Sequence, residues 1–201
     1  MDKDSTYEVY AVQYAYRPDR KRHESFITNA WTDPLHGTDQ PISYYVWAIV
    51  NDCHTIVVDT GFNAGEAARR RADSGELWRP EMKCTPVEGL AMIGIDARKV
   101  SDVIITHLHF DHAGTLGDFP AAQFYLQEQE MQFATGPCMA HSYFNGAYTV
   151  DHVVEMVRQV YRGRVVFVSG DAEIVPGVTV HCIGGHTLGI QCVRVLSLIH
   201  I

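Results

Sequence analysis

Three histidines and an aspartate lie within six positions of the chain, directly after the apolar run Val103 to Ile105. Imidazole and carboxylate groups bind zinc, and they also suit manganese, iron or cobalt. A lone histidine is usually a surface or hydrogen-bonding residue, but four potential ligands at this spacing indicate a metal site. The four residues are His107, His109, Asp111 and His112.

The spacing divides these side chains into two pairs. In an extended segment alternate side chains share a face, so His107 and His109 can bind one ion while Leu108 turns into the core. Asp111 and His112 are adjacent, and a turn after the strand can bring both of them to a second ion. Two neighbouring divalent ions are therefore possible.

The elements that must position this cluster alternate along the chain. Period-two apolar patterns predict strands, and 3.6-residue patterns predict helices, with Thr85 as an N-cap and Pro86 at the first helical position. This alternation favours α/β layering. The predicted strands are Tyr7 to Tyr16, Ser43 to Val50, Thr55 to Val58, Val103 to Thr106, Gln123 to Leu126, Val165 to Val168, Val178 to Ile183 and Gln191 to Val195. The predicted helices are Ala64 to Asp73, Pro86 to Ile93, Glu128 to Ala134 and Val150 to Tyr161.

A further histidine follows the strand predicted at Val178 to Ile183. His186 lies in the glycine-flanked segment Gly184 to Gly189, and it has the right chemistry for a third ligand of the first ion. The alternative is a turn histidine with no ligand role.

Composition narrows the class of protein. With 201 residues, of which 46% are hydrophobic and 20% charged, the chain fits one soluble globular domain. A net charge of −8 with scattered basic residues argues against nucleic-acid binding. The longest apolar run, Tyr44 to Val50, is too short to cross a membrane, and Met1 to Asp4 lacks the pattern of a secretory signal, which favours a cytoplasmic protein. Five cysteines without a Cys-x-x-Cys pair favour reduced core thiols.

The chain resembles the metallo-β-lactamase fold superfamily through three motifs in the expected order. They are Val57-Val58-Asp59-Thr60-Gly61, the His-x-His-x-Asp-His cluster at 107 to 112, and His186. With Gln127 to Glu130 and Gly184 to Gln191, the chain looks most like the N-acyl homoserine lactonase group. The resemblance implies one domain over residues 1–201 with an αββα two-sheet sandwich.

The resemblance also implies roles for single residues. His107, His109 and His186 would bind one metal ion, and Asp111 and His112 a second, with zinc as the first choice for both. Asp59 would orient a ligating imidazole, although Asp-x-Gly is also a common turn composition. Because Phe110 lies between potential ligands, we expect it to face the substrate pocket or to lie in the core. If the substrate carries an acyl tail, the aromatic residues Tyr143, Phe144, Tyr148 and Trp31 would line its groove or pack in the core.

The implied activity is metal-dependent hydrolysis, in which a metal-bound hydroxide opens the lactone ring of an N-acyl homoserine lactone and so quenches quorum sensing. A thioesterase of the glyoxalase II kind or a generic esterase of the same fold is the alternative. The non-enzyme alternative is a metal-binding fragment without catalytic activity.

The resemblance weakens near the end of the sequence. The family scheme requires a bridging aspartate and a last histidine beyond the residue matched by His186, but no acid follows Glu173. His200, the only later histidine, is not counted as a ligand. We therefore expect the sandwich to be incomplete after about residue 195, with an exposed strand edge, exposed apolar surface and poor solubility. The long loop 17–41 would serve as a dimer arm or fold back over its own domain.

Overall fold

The computed structural model describes residues 6–26 and 30–196. Over these residues the chain forms ten strands and five α-helices. The strands are β1 Glu8–Arg17, β2 Ile42–Val50, β3 Thr55–Val58, β4 Glu81–Met82, β5 Asp102–Ile104, β6 Gln123–Gln127, β7 Val165–Val168, β8 Ala172–Val175, β9 Val178–Cys182 and β10 Gln191–Val195. The α-helices are α1 Ala64–Asp73, α2 Pro86–Met92, α3 Glu128–Ala134, α4 Ser142–Asn145 and α5 Val150–Tyr161. Short 3-10 turns occur at Arg22–Glu24, Ala97–Lys99, Leu116–Asp118 and Pro137–Ala140.

The large sheet has seven strands in the order β4-β1-β2-β3-β5-β6-β7. Strands β1, β2 and β3 pair antiparallel, whereas β3, β5, β6 and β7 are parallel neighbours. The carboxyl ends of parallel strands meet at one edge of a sheet, which is where α/β proteins bind ligands. The segments that follow β3, β5 and β6 therefore emerge side by side.

The small sheet has three antiparallel strands in the order β10-β9-β8. The turn between β9 and β10 contains His186, and it lies over the same edge of the large sheet because β10 begins there. The Gln191 backbone N–H donates to the Thr106 carbonyl at 3.0 Å. The Gln127 side-chain amide donates to that of Gln191 at 2.9 Å. These bonds join the two sheets next to the histidine cluster.

Two buried clusters hold the layers together. Because successive strand side chains alternate between faces, Val57 and Val103 face the helices and contact a core that includes Leu90 and Met156. On the opposite face, Ile56, Val58 and Ile104 share a second cluster with small-sheet residues such as Val180. Helices, large sheet and small sheet thus form successive layers.

This architecture confirms the predicted α/β class and the two-sheet arrangement of the metallo-β-lactamase type. All eight predicted strands and all four predicted helices are present, with ends within two residues of the prediction. Among the described residues every α-helix precedes β7, so no helical layer is seen there beyond the small sheet. That residues 1–201 form a single domain stays a prediction.

Three short elements were not predicted: β4, β8 and α4. Strand β8 forms a hairpin with β9 around Pro176 and Gly177, and a Pro-Gly pair between two apolar runs is a recognised turn signal. Strand β4 has only two residues and α4 only four, which is too short for a periodic pattern to emerge.

The prediction of reduced core thiols is met only in part, since Cys84 and Cys138 are half-buried and pack against the main core cluster. None of the five cysteines is buried, and Cys53 and Cys192 are exposed. Apolar periodicity places a cysteine on a strand or turn but does not tell which face is covered. No disulfide joins cysteines in the described part of the chain.

The expected exposed edge is visible in the described residues. Strand β10 is an edge of the small sheet, and Val9 and Trp47 beside it are more than one-third exposed. The described parts of loop 17–41 pair with one another, for example from the Arg22 N–H to the Thr38 carbonyl at 2.9 Å. Dimer formation and poor solubility stay predictions. His200 lies outside the described residues, and none of the described helices has both the length and the apolarity needed to span a bilayer.

Candidate metal centre

Three imidazoles converge where the two sheets meet. His107 and His109 follow β5, and His186 lies in the turn between β9 and β10. One ring nitrogen from each of the three lies within 4.8 Å of the other two. The ring centroids are 4.5 Å apart for His107 and His109, 5.1 Å for His107 and His186, and 4.6 Å for His109 and His186. The residues that the sequence placed on one ion therefore share one small volume.

These rings suit a cation that is bound directly. His107 and His109 are buried, and the Nε2 atom of His107 has no hydrogen-bond partner in the described structure. A buried polar atom without a partner is costly and calls for an explanation such as a bound ion. Three imidazole nitrogens that face one point form a donor set that zinc and similar ions accept. The residues present thus fit a divalent metal ion.

Burial keeps two of these imidazoles neutral. Desolvation, assisted by the neighbouring histidines, holds the pKa of His107 far below its usual range. Desolvation, with a contribution from His186, lowers the pKa of His109 to about 3. A neutral imidazole presents a nitrogen lone pair, which is the form that binds a metal. Both rings are therefore ready to act as ligands at neutral pH.

Asp111 and His112 lie beside the trio. The His112 ring centroid is 4.1 Å from that of His107, and His112 Nε2 is 3.5 Å from an Asp111 carboxylate oxygen. Burial lowers the pKa of His112, but the carboxylates of Asp111 and Asp59 outweigh it and raise that pKa to about 9. Without a metal, His112 thus carries a proton between two carboxylates, so this position favours positive charge.

The Asp59 carboxylate joins β3 to the histidine cluster. One oxygen accepts from the Thr106 backbone N–H at 2.7 Å, and the other accepts from His112 Nδ1 at 2.7 Å. The Thr106 hydroxyl lies within 3.0 Å of both oxygens. The Asp59 side chain therefore lies against the His112 imidazole, as the resemblance implied. It also stabilises the turn after β5 through Thr106.

The backbone after Asp59 is tightly packed against the turn that carries His112. Asp59 has a φ of +62° and Gly61 one of +70°, values that few residues other than glycine adopt easily. The Thr60 N–H donates to the His112 carbonyl at 2.7 Å. A Cβ added at Gly61 would lie 2.8 Å from both the Pro86 and Tyr14 side chains. Glycine is required here by conformation and by space.

Phe110 lies in the helix-side core. It is nine-tenths buried and contacts the rings of Phe62 and Trp78, with centroids 5.5 Å and 5.4 Å away. The Arg70 guanidinium lies 3.6 Å from its centroid on the ring face. The geometry favours core packing over the pocket role, and the pocket role stays a prediction.

Three of the predicted acyl-groove aromatics, Tyr143, Phe144 and Tyr148, are joined by ring contacts through Phe133, and their groove role stays a prediction. The Tyr148 ring is buried and lies 4.6 Å from that of His109, edge to face. Tyr143 and Trp31 are exposed. Beside His107 and His112, a groove of about 530 Å³ runs between the two sheets, with Val9, Trp47 and Val193 in its lining. Apolar surface next to the cluster is therefore open.

Sequence reasoning gave no role to two residues near the cluster. The buried Tyr14 hydroxyl donates to the Asp111 carbonyl at 3.1 Å. Glu130, fully buried, accepts from the Leu108 backbone N–H at 2.9 Å. Glu130 belongs to the segment Gln127 to Glu130 that contributed to the family resemblance, but sequence alone does not tell that an acid in a first helical turn is buried.

The sequence is similar to known metal-dependent hydrolases. The sequence model of the metallo-beta-lactamase superfamily matches residues 38–197. The N-acyl homoserine lactonase AttM of Azorhizobium caulinodans is 42% identical over 109 residues, which is 51% of this chain and 41% of that protein. The same lactonase of Agrobacterium fabrum is 37% identical over 51 residues, 25% of this chain and 19% of that protein. The matches thus span less than half the length of these curated relatives.

A solved structure shares the fold. It is an N-acyl homoserine lactone hydrolase with the product N-hexanoyl-L-homoserine bound at its catalytic metal centre. The TM-score is 0.68 at 20% identity, over 98% of this chain and 72% of that chain. At this identity the likeness concerns the fold alone.

Proposed function

The chain belongs to the metallo-beta-lactamase superfamily, and we propose that it carries the metal centre of a hydrolase that opens the lactone ring of N-acyl homoserine lactones. The observation that carries this proposal is the convergence of the His107, His109 and His186 nitrogens within 4.8 Å. The lactonases that it resembles support the choice of substrate.

In this proposal two divalent ions bind at the edge where the sheets meet. His107, His109 and His186 hold one ion, and Asp111 and His112 hold the other. An imidazole-rich set favours zinc, and manganese, iron or cobalt are acceptable. When bound, such ions polarise an ester carbonyl and lower the pKa of water at the site to about 7.

The protein side chains prepare the site for this chemistry. Burial keeps His107 and His109 neutral, so that each presents a lone pair rather than a proton. Asp59 accepts a hydrogen bond from Nδ1 of His112, which directs Nε2 of that ring toward Asp111. A carboxylate behind a ligating imidazole fixes its tautomer and raises its basicity. No serine or cysteine nucleophile is required.

A substrate panel tests this proposal. The chain, stripped of metal and reloaded with Zn²⁺, is assayed on N-acyl homoserine lactones, thioesters and a β-lactam, with hydrolysis followed by proton release. We expect turnover of the lactone that a chelator abolishes and added Zn²⁺ restores. A His107→Ala variant, which lacks a proposed ligand, should show no turnover.

The panel also separates the competing functions. Thioester turnover without lactone turnover would replace the proposed substrate by that of a thioesterase. Zinc binding without turnover of any ester would leave a metal-binding protein and contradict the catalytic part of the proposal. Failure to bind zinc would contradict both parts.

A further inference from the structure

We infer that Glu130 is the positioning residue that sets the distance between His186 and the His107–His109 segment. The inference rests on the proposed function, because the distance matters only if these three side chains share a metal ion. Glu130 itself is fully buried, and its hydrogen bonds go to residues beside the three histidines rather than to their rings.

The Glu130 carboxylate receives hydrogen bonds from both segments. One oxygen accepts from the backbone N–H of Leu108 at 2.9 Å, and Leu108 lies between His107 and His109 in sequence. The other oxygen accepts from the Thr187 hydroxyl at 2.5 Å and from the Gly189 N–H at 3.3 Å. One side chain therefore spans the gap between the two ligand-bearing segments.

The same carboxylate also fixes a neighbour of His109. The Tyr148 hydroxyl donates to the oxygen that Leu108 contacts, at 2.9 Å. The Tyr148 ring in turn packs edge to face against His109, with centroids 4.6 Å apart. Glu130 thus restrains His109 both through its backbone and through the ring beside it.

The His186 loop, residues 185–189, lies directly on Glu130. A Cβ added at Gly189 would lie 2.0 Å from the Glu130 nitrogen and 2.4 Å from its Cα, so only glycine allows this approach. The Thr187 hydroxyl and the Gly189 N–H of this loop both donate to the same oxygen of Glu130. Close packing and hydrogen bonding therefore act on the loop at the same point.

A glutamine cannot replace this carboxylate without loss. Each carboxylate oxygen of Glu130 faces a backbone N–H, from Leu108 on one side and Gly189 on the other. A backbone N–H only donates, and so does the amide NH₂ of glutamine. Whichever way the amide turns, one ligand-bearing segment would face a donor opposed to a donor, and the distance between the segments would change.

The test compares Glu130→Gln with Glu128→Gln in the whole chain. Glu128 lies in the same first turn of α3 but is exposed, so the control makes the same change of charge. The Zn²⁺ affinity of each metal-free protein is measured by competition with a chromogenic chelator. Loss of a residue behind metal ligands typically lowers metal affinity about 10–100-fold. We expect a loss of that size for Glu130→Gln and unchanged affinity for Glu128→Gln.

Unfolding of the metal-free proteins in urea separates positioning from mere structural support. A residue that only stabilises the fold would lower the unfolding free energy and leave the affinity of the folded protein unchanged. Glu130→Gln that is folded and binds Zn²⁺ as tightly as the unchanged chain would therefore overturn the inference. If the unchanged chain and Glu128→Gln also fail to bind Zn²⁺, the proposed function fails and this inference fails with it.

A smaller change keeps the test decisive if Glu130→Gln does not fold. Thr187→Val removes one hydroxyl from the His186 loop, and Thr179→Val makes the same change on β9, away from Glu130. We expect a several-fold loss of Zn²⁺ affinity for Thr187→Val and none for Thr179→Val. Equal affinity in both variants would overturn the inference.

Discussion

The two halves of the candidate metal centre are held in different ways. The near half, residues 107–112, follows a buried strand of the large sheet and is fixed by Asp59 from the adjacent strand. The far half, His186, lies on an exposed turn of the small sheet, and Thr187 and Gly189 of that turn donate hydrogen bonds to Glu130. Ligands that are close in sequence obtain their spacing from the strand itself, whereas a ligand from far along the chain needs a separate buried side chain to place it.

The largest effect should come from removing a ligand, which tests whether the halves form one site. His107→Ala leaves two imidazoles, so we expect Zn²⁺ affinity to fall by more than the roughly 100-fold typical of residues behind the ligands. His186→Ala should cause a loss of the same order. His54→Ala, outside the cluster, is the control. Chelator competition measures all three, and tight binding by either cluster variant would show that the two halves do not share an ion.

The next prediction separates the two supporting acids. Asp59→Asn replaces a carboxylate oxygen by an amide NH₂ where Thr106 and His112 both donate, and asparagine tolerates the positive φ. We expect about a 10–100-fold loss of affinity, confined to the ion at Asp111 and His112. Zn²⁺ titrations with metal analysis would resolve the two ions.

Asp52→Asn, on the exposed turn after β2, is the matched control for that experiment. Glu130→Gln should affect the ion at His107, His109 and His186 instead. If Asp59→Asn and Glu130→Gln weaken the same ion equally, the assignment of the two acids to different ions is wrong.

The packing of the two halves can be compared with a pair of glycines. Gly61 and Gly185 both have positive φ, but an added Cβ clashes only at Gly61, since nothing lies within 4 Å of the one at Gly185. Gly185→Ala should cost about 1–2 kcal/mol from its backbone conformation. Gly61→Ala should cost a further 1–3 kcal/mol, roughly, from overpacking. Urea unfolding of the metal-free proteins measures both, and equal losses would contradict the difference in packing.

The smallest expected effect is on the pH dependence of stability, and it involves His152, which lies on the helix side of residues 107–112. Burial lowers the pKa of His152, against the opposing influence of Glu66 and together with Arg70 and Arg69. The unfolded chain, with a histidine pKa of about 6.5, therefore binds the proton first as pH falls. The stability that this neutral His152 contributes is complete above about pH 6.5 and declines below it.

Replacing His152 by leucine should therefore reduce the loss of unfolding free energy between about pH 6.5 and pH 5. The reduction should not exceed the pH dependence that one proton, bound by the unfolded chain alone, can cause. His141→Leu, at an exposed position, is the control. Urea unfolding at several pH values provides the measurement. A slope that is the same in His152→Leu and in the unchanged chain would contradict the assignment.

The near half could be predicted from the sequence because its geometry is local. Alternation along an extended segment places His107 and His109 on one side without knowledge of the rest of the fold. The position of His186 followed from its chemistry and from the family resemblance. The roles of Glu130 and Tyr14 could not be predicted, because they depend on which side chains the packing of two sheets brings together and buries. Whether Phe110 faces the pocket or the core could not be predicted from the sequence for the same reason.

The trio takes two members from the large sheet and one from the small sheet, and this has a consequence for the lifetime of the protein. An ion shared by them would cross-link the two layers, which otherwise meet through one apolar cluster and a few hydrogen bonds. Binding at 100 times the dissociation constant adds about 2.7 kcal/mol to stability. In a cell starved of metal the layers would separate more often, and proteases would remove the chain sooner, so that metal supply would govern the amount of the protein as well as its activity.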